Sequence, residues 1–133
     1  MFNYDNVHVQ TVVLSDPTAD TTSPIFRVPS RNTKIEILEA WAASDTTITG
    51  VGGTGFSLRL LDYGTAGTAV GGTITATLGG TTSTWTANTP RTFTVSEGTL
   101  DANDYVMVYY DETGTIAPLN ITVGFSWVSG VGA

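Results

Sequence analysis

Apolar residues fall at every second position over Leu119, Ile121, Val123, Phe125 and Trp127, with Asn120, Thr122, Gly124 and Ser126 in the gaps. A strand sends successive side chains to opposite faces, so this run buries one face and wets the other. The same alternation sets Phe56, Leu58 and Leu60 against Ser57 and Arg59, and Ile74, Ala76 and Leu78 against Thr73, Thr75 and Thr77. Phe93 and Val95 mark another strand, ending at Glu97 and Gly98. Residues 7–14 and 105–110 carry apolar or aromatic side chains on both faces. Residues 24–29 form a short extended piece between two prolines, which suits an edge or a corner. Gly, Asp, Asn and Pro punctuate the chain between these runs.

Residues 34–43 change phase midway. Ile35 and Ile37 alternate with Lys34 and Glu36, and then Leu38, Ala40 and Ala42 take the opposite parity. A strand with a bulge near Leu38 explains that shift. A short helix is the alternative, since Glu, Leu and Ala are good helix formers. Seven to nine strands and no convincing long helix give an all-β fold: an antiparallel β-sandwich, jelly-roll-like, in one domain over residues 1–133, with an N-terminal arm over residues 1–6. Antiparallel pairing follows from the lack of crossover helices.

Charged residues make up 13% of the chain, about half the usual share of ~25%. The surface is therefore covered mainly by Thr, Ser, Asn and Gly, which are cheaper to bury against a partner than charges are. The net charge is −7. Five basic residues cannot build a phosphate-neutralising stripe, so neither nucleic acid nor an anionic membrane is an expected partner. There is no cysteine, which removes disulfides, thiol catalysis and Cys-ligated zinc. The start lacks the basic region and apolar run of a signal peptide, and no apolar stretch approaches the ~20 residues of a membrane span. The expectation is a soluble protein made in a cytoplasm.

Candidate chemistry is sparse. His8 is the only histidine and has no partner pattern for a metal or a catalytic triad. Asp101, Asn103 and Asp104 cluster oxygens as calcium sites do, but they also read as a turn before a strand, as do Asp16 and Asp20. The glycines between Gly50 and Gly55 precede a strand rather than a helix, unlike a phosphate loop. Glu36, Glu39 and Glu97 offer no distinctive carboxylate pair. No enzymatic activity, cofactor or metal is expected. Asn120, Ile121 and Thr122 match a glycosylation acceptor that is idle without export.

The aromatics carry the remaining signal. Trp41 and Trp127 read as core. Trp85, in a polar stretch, reads as exposed or interfacial. Phe2 and Tyr4 of the arm, Val7 just after it, and Tyr105 and Tyr109 on a strand with a second face wanting cover complete the candidate interface. A carbohydrate-binding or tail-fibre receptor-binding module using Trp85 is the alternative function.

The run LDANDYVMV at residues 100–108 resembles a jelly-roll corner in which a Leu, a small residue and an Asp turn lead into alternating Val. Small trimers of the tumour-necrosis-factor and C1q type have a similar corner, as do many small bacteriophage head proteins. Together with composition and strand order, the chain resembles a tailed-bacteriophage head decoration, or cement, protein. That resemblance implies a β-sandwich, often trimeric, on the capsid exterior. It would bridge neighbouring major capsid subunits and stabilise the shell, with no catalytic residues.

Overall fold

The computed structural model describes residues 6–30, 34–67 and 71–130. Phe2 and Tyr4 of the expected arm lie outside them. The regular elements among the described residues are ten strands: β1 (His8–Ser15), β2 (Thr21–Arg27), β3 (Lys34–Ser44), β4 (Gly55–Asp62), β5 (Gly72–Thr73), β6 (Leu78–Gly80), β7 (Arg91–Thr92), β8 (Thr99–Asp101), β9 (Tyr105–Thr113) and β10 (Asn120–Ser129). One sheet runs β1-β10-β3, with β7 and β8 both pairing β3 along its length. The other runs β2-β9-β4, with β5 and β6 both pairing β4. Every pairing is antiparallel. Counting β5 with β6 and β7 with β8 as interrupted strands leaves four per sheet, the double-sheet arrangement of a jelly roll.

The alternation over β10 holds as read. Leu119, Ile121, Val123, Phe125 and Trp127 are buried, while Asn120 and Thr122 are exposed. They face Phe26, Leu58, Leu60, Val106, Val108 and Tyr110 from the opposite sheet within one continuous core. Phe26 meets Phe125 edge-on at 5.4 Å between ring centroids. Such aromatic contact adds to the area buried.

Residues 34–43 are a strand, and the bulge lies at Leu38. Glu39 pairs Ser126 and Ile37 pairs Trp127, so Leu38 has no opposite number on β10. Ile35 and Ile37 face inward before the bulge, and Ala40 and Ala42 after it. The extra residue reconciles two hydrophobic runs of opposite parity with one buried face.

Two expected strands are shorter than the pattern implied. The alternation at residues 73–78 is broken after Thr73. The Leu60 carbonyl accepts from the amides of both Ile74 and Thr75, at 2.9 and 3.3 Å, and the Leu60 amide donates to the buried Thr75 hydroxyl at 3.0 Å. The Thr75 side chain thus replaces a ladder bond, and the chain swings across to residues 94–96. There the Ala76 amide donates to the Thr94 carbonyl and the Ser96 amide to the Ile74 carbonyl. The strand expected at Phe93 and Val95 is cut short for the same reason: β7 ends at Thr92, Phe93 makes one further bond to the Ala40 carbonyl of β3, and residues 94–96 then serve this crossing. Buried Thr75 is a polar group whose pairing changes the local path.

Candidate interaction surface

The outer face of β1 and β10 carries no ionisable side chain. Val9 pairs Ser126, Thr11 pairs Gly124 and Val13 pairs Thr122. Val7, Val9 and Val13 are 49%, 62% and 57% exposed, on a chain whose valines are otherwise mostly core. Trp41 adjoins this row from β3. It was expected in the core, but the bulge puts residues 40 and 42 inside and so turns Trp41 outward. It lies half-buried over Gly124, its register partner, where a Cβ would sit 2.4 Å from the indole Cε2. Beneath β1, an open groove of about 520 Å³ runs between the edges of the two sheets, lined by Val12, Leu14, Pro17, Thr21 and Pro24 among others.

Tyr105 and Tyr109 occupy the outer face of the other sheet, on β9. The Arg27 guanidinium lies 5.5 Å from the Tyr105 ring centroid and that of Arg59 5.2 Å from Tyr109. Gly67, in the left-handed region at φ +67°, brings its loop against Tyr105, within 3.1 Å of where a Cβ would stand. Between the tyrosines, Met107 and its register partner Leu61 are already buried. Much of the second face of β9 is therefore covered by the chain itself, through stacked arginines whose stems shield apolar surface. Val7 lies just ahead of β1 in one sheet and the two tyrosines lie on the other, whose outer face points the opposite way. No single flat contact can use both.

Trp85 is not at the surface. It is fully buried, in contrast to its reading from sequence. Its backbone exchanges both hydrogen bonds with Ile48, at 2.8 Å each. Its ring stacks on Phe56 at 4.7 Å, and the Arg91 guanidinium lies 4.7 Å from the ring centroid. The indole N–H donates to the Phe56 carbonyl at 3.3 Å. The flanking Thr and Ser residues suggested exposure, but the loop folds this one side chain inward to plug the end of the sandwich. Gly79, at φ +92°, approaches the indole so closely that a Cβ there would be 2.8 Å from Nε1. The glycine pair at residues 79–80 was the available clue: a large ring beside a bare backbone. A sugar-stacking platform built on Trp85 loses its aromatic.

Polar groups near the ends of the sandwich do structural work. Asp45 binds both the backbone amide and the side-chain amide of Asn120, at 2.8 and 3.1 Å, and the Asn120 carbonyl oxygen of the side chain accepts from the Asp16 amide at 3.2 Å. This clasp ties the ends of β1, β3 and β10 together and engages the acceptor nitrogen of the glycosylation pattern. The oxygen cluster at residues 101–104 forms a turn. Asn103 takes φ +68°, and the Asp101 amide donates to the buried Asp104 carboxylate at 3.1 Å.

Two carboxyl groups are held above the ordinary carboxylate range. Burial raises Asp104, and the neighbouring Asp62 carboxyl adds to the effect. A hydrogen bond with the Asp20 carboxyl raises Asp111, reinforced by desolvation. Hydrogen bonds from Asn120 hold Asp45 below that range. A raised carboxyl binds its proton more tightly in the folded state. Its stabilisation is complete below the unfolded pKa and is lost as pH rises through the folded one. Asp45 acts in the opposite sense, its contribution being lost as pH falls through its depressed pKa. Thermal stability should therefore be greatest on the acidic side, around pH 4–5, near ordinary carboxylate values. Melting temperature measured from pH 3 to 8 checks this. The double variant Asp104→Asn, Asp111→Asn should lose most of the gain that accompanies acidification from neutrality, and a maximum at neutrality in the parent chain would contradict the reading.

No protein-family model and no curated protein sequence matches the chain. Its fold, however, has a full-length counterpart. It is similar to a chain of the acid-stable capsid structure of Helicobacter pylori bacteriophage KHP30, with a TM-score of 0.62 and 8% identity over 96% of this chain and 91% of that one. A chain of the cyanophage Pam1 capsid asymmetric unit aligns with a TM-score of 0.46 and 15% identity over 94% and 84%. A chain of infectious bursal disease virus, Gx strain, aligns at 0.48 and 14% over 97% of this chain but 34% of its own length.

At such identities the KHP30 correspondence is one of fold. It agrees with the jelly-roll strand order of the two sheets, within which lies this chain's own corner at residues 100–108. That corner passes from β8 in one sheet, through the Asp104 turn, into β9 in the other.

Proposed function

We propose that the protein is a non-enzymatic structural component of a virion, one that binds the outside of an assembled phage capsid, bridges major capsid subunits and stabilises the shell. The observation that carries this reading is the end-to-end fold correspondence with a chain of the KHP30 capsid. The low charge of this chain supports the reading too, because a surface of hydroxyls and short apolar groups can be buried against a shell at little desolvation cost. The protein works as a homo-oligomer, a trimer in the favoured arrangement, so that several modest contacts act together through effective concentration. The arm, with Phe2 and Tyr4, anchors it to a neighbouring subunit by strand addition, while Tyr105 and Tyr109 offer aromatic contacts on the other face. Neither nucleic acid nor membrane is a partner. The protein is made in the host cytoplasm and added to the capsid exterior.

The test is co-sedimentation of the purified chain with shells of the major capsid protein encoded in the same genome. Saturable binding and a higher shell melting temperature are expected. Deleting residues 1–6 should weaken binding by roughly tenfold or more, the scale of losing one element of a multivalent contact, without changing the chain's own melting. Absence of binding by the full chain would refute the role, and unchanged binding after deletion would remove the arm from it.

A further inference from the structure

Sheet edges are where a β protein is exposed to unwanted pairing, and most edges here are protected. β2 carries Pro24 and Arg27 and slips register between Pro24 and Phe26. β5, β6, β7 and β8 are two or three residues long. Short edges, prolines, charges and bulges are the usual means of blocking strand addition. β1 has none of them. It spans eight residues in unbroken register with β10, contains no Pro, Asp, Glu, Lys or Arg, and no described strand lies beyond it.

We propose that β1 pairs antiparallel with β1 of a second copy across a two-fold axis at Thr11. The Val9, Thr11, Val13 order of β1, which is symmetric about Thr11, singles out a copy of this chain as the occupant, and charge permits it. Two chains of net charge −7 repel wherever carboxylates meet, and the β1–β10 face is the broad strand surface that presents none. The sequence of β1 fits itself in this register. Val9 faces Val13 of the partner and Val13 faces its Val9, Thr11 faces Thr11, and Val7 faces Ser15. β-branched pairs and Thr–Thr pairs are among the favourable cross-strand combinations. The three exposed valines then lie in one stripe across the joint, and the two β1-β10-β3 sheets become one. An isologous contact of this kind uses up both β1 edges at once, and it joins copies of different trimers rather than building the trimer itself.

The contact is small. One strand on one strand falls short of the roughly 1,200 Å² of a standard stable interface, so free copies pair transiently. Copies held near one another on a surface would pair far more fully. The inference concerns copies in solution and stands apart from the shell-binding reading, and its test needs no shell.

The absence of cysteine makes the register directly testable. Thr11→Cys in the full chain should oxidise to a disulfide-linked dimer. Val9→Cys and Val13→Cys should do so poorly alone but readily when mixed. Matched positions should exceed mismatched ones by roughly tenfold in rate, because a disulfide needs Cα atoms within about 7 Å and opposed antiparallel residues satisfy this. Thr22→Cys on the protected β2 edge is the control. Adding Val9→Lys and Val13→Lys to the Thr11→Cys chain should abolish the cross-link while leaving melting unchanged, since both valines are exposed. Cross-linking of Thr11→Cys no faster than Thr22→Cys overturns the proposal. So does a mixture of Val9→Cys and Val13→Cys that reacts no better than either alone, as it would if β1 received only a strand from some other protein.

Discussion

Trp85→Ala should destabilise the protein by about 3–5 kcal/mol, the range for removing a buried Trp or Phe side chain. The ring is fully buried, sandwiched between Phe56 and the Arg91 guanidinium, so its loss leaves a cavity and deprives two neighbours of contact. Little can collapse into the space. Trp85 is held by two backbone bonds to Ile48, and the adjacent Gly79 has no side chain to extend. For a domain of this size the loss corresponds to a melting-temperature drop of roughly 10–20 °C. In urea, the midpoint should fall at unchanged slope, which marks a loss of stability rather than a change in what unfolds. Trp85→Phe should cost less, because it keeps much of the stacking while giving up the indole bond to Phe56. A near-neutral Trp85→Ala would mean that the ring is not packed as described and would reopen its reading as a surface residue.

Gly124→Val should cost about 1–3 kcal/mol, the range for inserting bulk into a packed site. Local preference predicts the reverse, because Val is among the best strand residues and Gly among the worst. Gly124 lies in a central strand, and its location beneath the Trp41 ring decides the sign. A Cβ at this position would come within 2.4–2.6 Å of three indole atoms. The ring must be displaced, and it forms part of the half-buried cover of the outer face. In a Trp41→Ala background the obstacle is gone, and Gly124→Val should become neutral or stabilising. The change of sign between the two backgrounds is a coupling between neighbours that a double-mutant cycle measures directly. Equal destabilisation in both would show that the glycine is needed for some reason other than the ring.

These two sites divide what alternation can and cannot reveal. Alternation over residues 119–127 located the inward face of β10, and the parity change at Leu38 located a bulge whose register partner is visible only in the fold. Both are readable because period-two burial is a local consequence of strand geometry. Trp85 was misread because its neighbours are polar and its burial depends on Phe56, Gly79 and Arg91, none of them adjacent in sequence. Trp41 was misread because the same bulge that was recognised also reverses the facing of every residue after it. Thr75 broke an apparently regular strand because its hydroxyl found the Leu60 amide, a pairing 15 residues away.

The sequence by itself determined that this is an antiparallel two-sheet protein and which residues of β4 and β10 face inward. Those properties follow from side-chain chemistry and from a periodicity that each strand carries alone. Tertiary structure decided the strand order β1-β10-β3 against β2-β9-β4, the plugging role of Trp85 and the self-covering of the Tyr105–Tyr109 face. It also decided that β1, rather than β2, is the long unprotected edge. A strand records which way its side chains point, but its neighbours are chosen by pairings among residues up to the full length of the chain apart. Whether an edge is left open is a property of the assembled sheet.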